Sequence, residues 1–153
     1  MSSCGNSTYI FQEAIDHCRW KGALHNVLKK IILSDYKNKN FEEIITDIYN
    51  ICENINGIGM LTIYDITSSI CRKYNINIDN VYIIGNGPKR AIKLLNIKTN
   101  IHKINDKIKL RVVYINDVVN AFDFNGFELE DNIRNCKNGD IVETYICNWQ
   151  KTK

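Results

Sequence analysis

The chain has 153 residues, of which 44% are apolar and 24% charged, and a net charge of +3. That length supports a buried core without help from disulfides or metal, and the charge is too small for a DNA-packaging protein. No run approaches a membrane span and the first residues lack the order of an export signal, so a soluble intracellular protein is expected.

The residue usage is skewed. There are 26 isoleucines and 21 asparagines beside one proline, Pro88, which suggests an A/T-rich genome such as those of some protists and large DNA viruses. Cys4, Cys18, Cys52, Cys71, Cys136 and Cys147 are scattered without a C-x-x-C pair, and reduced thiols are expected. His17, Cys18 and His25 lack metal-ligand spacing, and His102 stands among lysines, so neither a metal nor a cofactor is expected.

Taken in order, Ile10, Phe11, Ala14, Ile15 and Cys18 form one helical stripe, which predicts a helix over residues 8–18. Leu24, Val27, Leu28, Ile31 and Ile32 form a second stripe, with Lys29 and Lys30 opposite. Residues 34–39 read as a loop. Asn40 with Glu43 resembles a capping box, and Phe41, Ile44, Ile45, Ile48 and Cys52 give the buried face of the helix it opens. After a turn at Gly57 and Gly59, a further helix presents Ile63, Ile66, Thr67, Ile70 and Tyr74, and ends at residues 75–77. Asp79 or Asn80 is expected to cap a short turn through Ile84. A second Gly-x-Gly, Gly85 and Gly87, then precedes another helix, with Pro88 near its start.

Residues 96–105 are polar and basic. Ile108, Leu110, Val112 and Tyr114 alternate as in a strand, but the sequence shows no partner for it, so a helical or extended segment stands nearly level with that reading. A helical turn over 117–122 and a turn over 123–126 follow. A last helix is predicted with Asp140 and Glu143 at its cap, and with Ile141, Val142, Tyr145, Ile146 and Trp149 facing inward. The expectation is one mainly α domain over 1–153, with at most one short strand pair. It divides into a helical scaffold (1–53), tandem Gly-x-Gly hairpins (54–96) and a C-terminal segment (97–153).

Ile55-Asn56-Gly57-Ile58-Gly59 between two helices resembles the helix-hairpin-helix motif of DNA repair and recombination proteins. In such a motif the glycines leave backbone N–H groups open at a helix N-terminus, where the dipole also favours an anion. A DNA phosphate can bind there without any base being read. The resemblance implies phosphate contacts at Gly57, Gly59 and Thr62, and in the second copy at Gly85 and Gly87, with Lys89, Arg90 and Lys93 adding charge. It departs from the motif at Met60 and Leu61, where many such hairpins carry a basic residue.

A second resemblance spans most of the chain after Glu42. Gly57 to Thr67, Val81 to Gly85 and Asp140 to Cys147 are similar to an uncharacterised family of small bacterial and viral proteins. Its pattern contains Gly-Ile-Gly-x-Leu-Thr-x-Tyr-Asp. That family brings no activity with it, but draws attention to Thr62, Tyr64 and Asp65. An enzymatic alternative is a glycosylase-like role, because Asp79 lies twenty residues beyond Gly59, with Asp65 and Tyr64 as further candidates. The lysine such lyases place after the hairpin is missing, and Asp79 reads more simply as a helix cap. The leading expectation is therefore non-enzymatic, sequence-independent DNA binding, and the alternative is a protein-interaction module.

Overall fold

A computed structural model describes residues 29–31 and 34–153. The helix predicted over 8–18 lies outside the described residues, as does most of the second stripe; Lys29 to Ile31 are helical. The described chain divides into two compact units whose boundary falls between Ile76 and Asn77. This boundary cuts the 54–96 segment expected from sequence, so the two Gly-x-Gly stretches belong to different units.

In the first unit, helix α1 runs over Phe41–Cys52 and opens as its sequence predicts. Asn40 Oδ1 accepts from the amide of Glu43 at 2.9 Å, and Glu43 Oε1 accepts from the amide of Asn40 at 3.2 Å. Two otherwise orphaned donors are thereby satisfied. Phe41, Ile44, Ile45, Ile48 and Cys52 are all buried. Helix α2 runs over Met60–Lys73, with Ile63, Ile66, Thr67 and Ile70 inward as expected, joined by Tyr64, Ser68 and Cys71. The rings of Phe41 and Tyr64 meet edge-on with centroids 6.1 Å apart, tying α1 to α2. Asn75 takes a left-handed conformation (φ 55°) and stops α2, with the Ile76 amide donating to the Cys71 carbonyl at 2.8 Å. Ahead of α1, the buried Tyr36 hydroxyl donates to Asp47 Oδ2 at 2.5 Å.

The second unit holds a sheet with helices. Its elements are β1 (Val81–Tyr82), α3 (Asn86–Leu95), β2 (Asn100–Lys103), β3 (Lys109–Val113), α4 (Ile115–Phe124), α5 (Asp131–Arg134) and α6 (Gly139–Gln150). The strands lie in the order β1-β3-β2, antiparallel throughout, with Tyr82 opposite Val112 and His102 opposite Leu110. The chain is therefore mainly α, but the limit of one strand pair is corrected to a three-stranded sheet. The alternating stretch is its central strand. Its partners carry no periodic signal in the sequence, because β1 is two residues long and buried on both, while β2 is exposed at three of its four positions. The turn expected through Ile84 is in fact β1 and its continuation, with the Ile83 amide donating to the Arg111 carbonyl at 2.9 Å.

The core of this unit joins Val81, Ile83 and Val113 to Ala91, Ile92 and Leu95 of α3, Val118 and Phe122 of α4, and Val142 and Ile146 of α6. The fully buried Phe122 is ringed by Phe127, Tyr145 and Trp149, with centroids 5.1 to 6.3 Å away. The cap of α6 is Asn138, whose Oδ1 accepts from the Asp140 amide at 3.0 Å, and not Asp140 itself. Gly139 comes between them because α6 starts against the segment before β1. A Cβ there would lie 1.9 Å from the Asn80 carbonyl oxygen, and the Gly139 amide donates to the Ile78 carbonyl at 2.6 Å. Ile141, expected inward, is 46% exposed. Cys52, Cys71 and Cys136 stand outside disulfides, whereas Cys147 is disulfide-bonded, which corrects the expectation of reduced thiols at that position.

Candidate nucleic-acid interface

The first Gly-x-Gly turn joins α1 to α2. Gly57 has φ 88°, a left-handed conformation that a side chain would strain, and both Gly57 and Gly59 are exposed. Gly59 is the N-cap of α2 (φ −99°, ψ −176°), and no side chain caps this end. A residue without a side-chain acceptor there leaves the first-turn amides, those of Met60, Leu61 and Thr62, directed past the glycine. The fourteen-residue helix adds its dipole at this end. The arrangement suits an anion, though the turn brings no cation of its own. Thr62 is half-buried in the first turn.

The second Gly-x-Gly has a different setting. Buried Gly85 is the N-cap of α3, but a strand rather than a helix leads into it. The expected tandem hairpin is a strand-to-helix turn, because Val81–Tyr82 form a strand and the Ile83 amide continues its bonding to β3. Gly87 is a packing position: a Cβ there would lie 2.4 Å from Cys147 Sγ on α6. Pro88, third in the helix, removes one of the amides an anion would need. Arg90 is already engaged. Its Nη1 donates to the Gln150 carbonyl and to Gln150 Oε1, each at 2.6 Å, and its Nη2 to the Lys153 carbonyl at 2.8 Å. Lys89 and Lys93 are exposed on α3.

The enzymatic candidates are not gathered by either unit. Tyr64 is 4% exposed and packs on Phe41, and the Asp65 carbonyl accepts from the hydroxyls of Ser68 and Ser69 at 3.1 and 2.8 Å. Asp79 is exposed in the second unit, ahead of β1. Among the described residues no group of three or more His, Cys, Asp or Glu is placed to hold a metal.

The β2–β3 ribbon is the surface that reading the chain segment by segment missed. Residues 98–111 contain Lys98, Lys103, Lys107, Lys109 and Arg111 against one acid, Asp106. Pairing sets Lys103 opposite Lys109 and Ile101 opposite Arg111, and directly opposed side chains share a face. All four are exposed, Ile101 at 63%. Lys103 Nζ lies 3.0 Å from Asp106 Oδ1, while Lys109 and Arg111 have no carboxylate partner among the described residues. Two like charges set directly opposite one another oppose strand pairing, a cost that a bound polyanion would remove. On the other face His102 Nδ1 lies 2.9 Å from the Tyr82 hydroxyl, so this histidine is tied into the sheet. The chain matches no family profile, no curated protein and no solved structure. No helix among the described residues is long and apolar enough to cross a membrane.

Proposed function

We propose that the protein binds nucleic acid through its phosphate backbone, without reading base sequence. The observation that carries this reading is the exposed Gly57–Gly59 turn at the N-terminus of α2, where no side chain caps the helix. Phosphate is the anion that such an end accepts most readily, and the likeness of Ile55 to Gly59 to helix-hairpin-helix sequences supports the same ligand. Within the second unit, the cations open to phosphate are Lys103, Lys109 and Arg111 on the ribbon rather than Arg90, which is held by Gln150 and Lys153. If those three cations each neutralise one phosphate, affinity falls roughly 40-fold over about a fourfold rise in salt. A glycosylase-like role gains no support from the surroundings of Tyr64, Asp65 and Asp79.

The test is a substitution that fills the anion site from within. Nothing lies within 4 Å of a Cβ at Gly59, and its backbone angles are those of an ordinary N-cap. Gly59→Asp therefore places a carboxylate over the first-turn amides without strain. By fluorescence anisotropy, Gly59→Asp weakens duplex binding roughly tenfold, while Asn116→Asp, with the same charge change at an exposed position of α4, has a much smaller effect. Unchanged binding by Gly59→Asp would remove the hairpin from the interface.

A further inference from the structure

One groove is independent of the nucleic-acid reading and already contains a cation. It has a volume of about 740 Å³ and lies between residues 126–130 and the outer side of α6, entirely within the second unit. Phe127 and Trp149 form its aromatic corner, with centroids 5.4 Å apart and planes at 54°, and Tyr145 also lines it. The buried Phe122 backs both rings, so the corner is pre-formed. The Lys153 ammonium sits 5.3 Å from the Trp149 centroid and 5.4 Å from that of Phe127, within the range of cation–π attraction.

The charges on the rim favour a cation. Glu128 and Glu130 line the groove, are exposed, and have no cationic partner among the described residues. Arg134 also lines it, but both of its terminal nitrogens are bound to Asp123, at 2.7 and 2.9 Å. That pair holds the Asp123 carboxyl below its ordinary range, so the arginine's charge stays matched at neutral pH. Lys153 is exposed and is held through its backbone: its carbonyl accepts from Arg90 and its amide donates to the Gln150 carbonyl at 3.2 Å. Its side chain is therefore free to leave the rings without disturbing those bonds.

We infer that the Phe127–Trp149 groove is a binding site for a lysine side chain of a partner protein, and that Lys153 occupies it from within until that side chain displaces it. A lysine is the fitting occupant because the structure shows the ammonium of this same side chain over both rings of the corner. The free carboxylates on the rim would then pair with the incoming charge in addition to the rings.

The test follows the Trp149 indole N–H by nitrogen-15 NMR in full-length protein, with Trp20→Phe to leave one indole signal. The probe is Nα-acetyl-lysine methylamide, with the norleucine analogue as a neutral control. In Lys153→Ala the indole shifts saturably with the lysine probe, with roughly fivefold higher affinity than in the wild type, because the competing ammonium is gone. Adding Glu128→Gln and Glu130→Gln, exposed positions that leave the core intact, weakens that affinity severalfold. No saturable shift in Lys153→Ala, or an equal shift with norleucine, would overturn the inference. Binding of tetramethylammonium without any binding of the lysine probe would overturn the assignment to lysine.

Discussion

Gly139→Ala is the sharpest test of how the second unit is packed. The added Cβ would sit 1.9 Å from the Asn80 carbonyl oxygen, 2.3 Å from its carbon and 3.0 Å from the Ile78 carbonyl oxygen. All three are backbone atoms, so none can rotate aside, and the start of α6 must retreat by about 1 Å to restore ordinary contact. Overpacking of this kind costs about 1–3 kcal/mol. The same retreat stretches the 2.6 Å hydrogen bond from the Gly139 amide to Ile78, worth about 1 kcal/mol more. Alanine's helix propensity returns less than about 1 kcal/mol at a first helical position. The net loss is about 1–4 kcal/mol, which at roughly 3 °C per kcal/mol lowers the melting temperature by about 3–12 °C. Thermal unfolding followed by far-UV circular dichroism measures this directly. Gly59→Ala is the control, since its Cβ meets nothing within 4 Å and its φ is ordinary, and it should cost no more than about 1 kcal/mol, the preference for glycine over alanine at an N-cap. A Gly139→Ala protein melting within about a degree of wild type would refute the close approach of α6 to the segment before β1.

Other outcomes follow from local chemistry. Asn40→Ala removes one half of the capping box and should cost about 1 kcal/mol in denaturant unfolding, whereas Asn40→Ser should restore most of it. Burial pushes the Cys52 thiol up to about 11, and burial together with the Asp47 carboxylate raises the Tyr36 phenol. Both groups are neutral in the folded state, so their contribution is complete below the ordinary thiol range and is lost as pH rises toward the folded value. Stability measured by urea unfolding should accordingly decline from about pH 8.5 upward, and Cys52→Ala should flatten the first part of that decline. At pH 8 a thiol reagent should modify partly exposed Cys136 in the native protein and leave Cys52 untouched until unfolding.

Local features were legible in the sequence. The Asn40–Glu43 box and the inward stripe of α1 depend on residues three and four apart, which a single chain displays directly. The sheet was not legible, because β1 and β3 pair across about thirty residues and β1 has too few residues to show a period. The second Gly-x-Gly shows the limit most plainly. It repeats the pattern of the first, yet Gly87 serves contact with Cys147 and Arg90 serves carbonyls sixty residues away. Only the position of α6 marks Gly87 as a packing glycine. The basic ribbon was half legible: the cations were plain in 98–111, but their common face follows from the register of β2 on β3.

Phosphate binding at the Gly57–Gly59 turn is the central claim, and a single anisotropy titration tests it. Wild type and Gly59→Asp would be run against a labelled duplex at two salt concentrations, with melting temperatures taken on the same samples. Wild-type binding should fall with salt, and a Gly59→Asp protein that melts no lower than wild type should bind roughly tenfold more weakly. Binding that ignores salt, or a Gly59→Asp protein that binds as tightly as wild type, would contradict it.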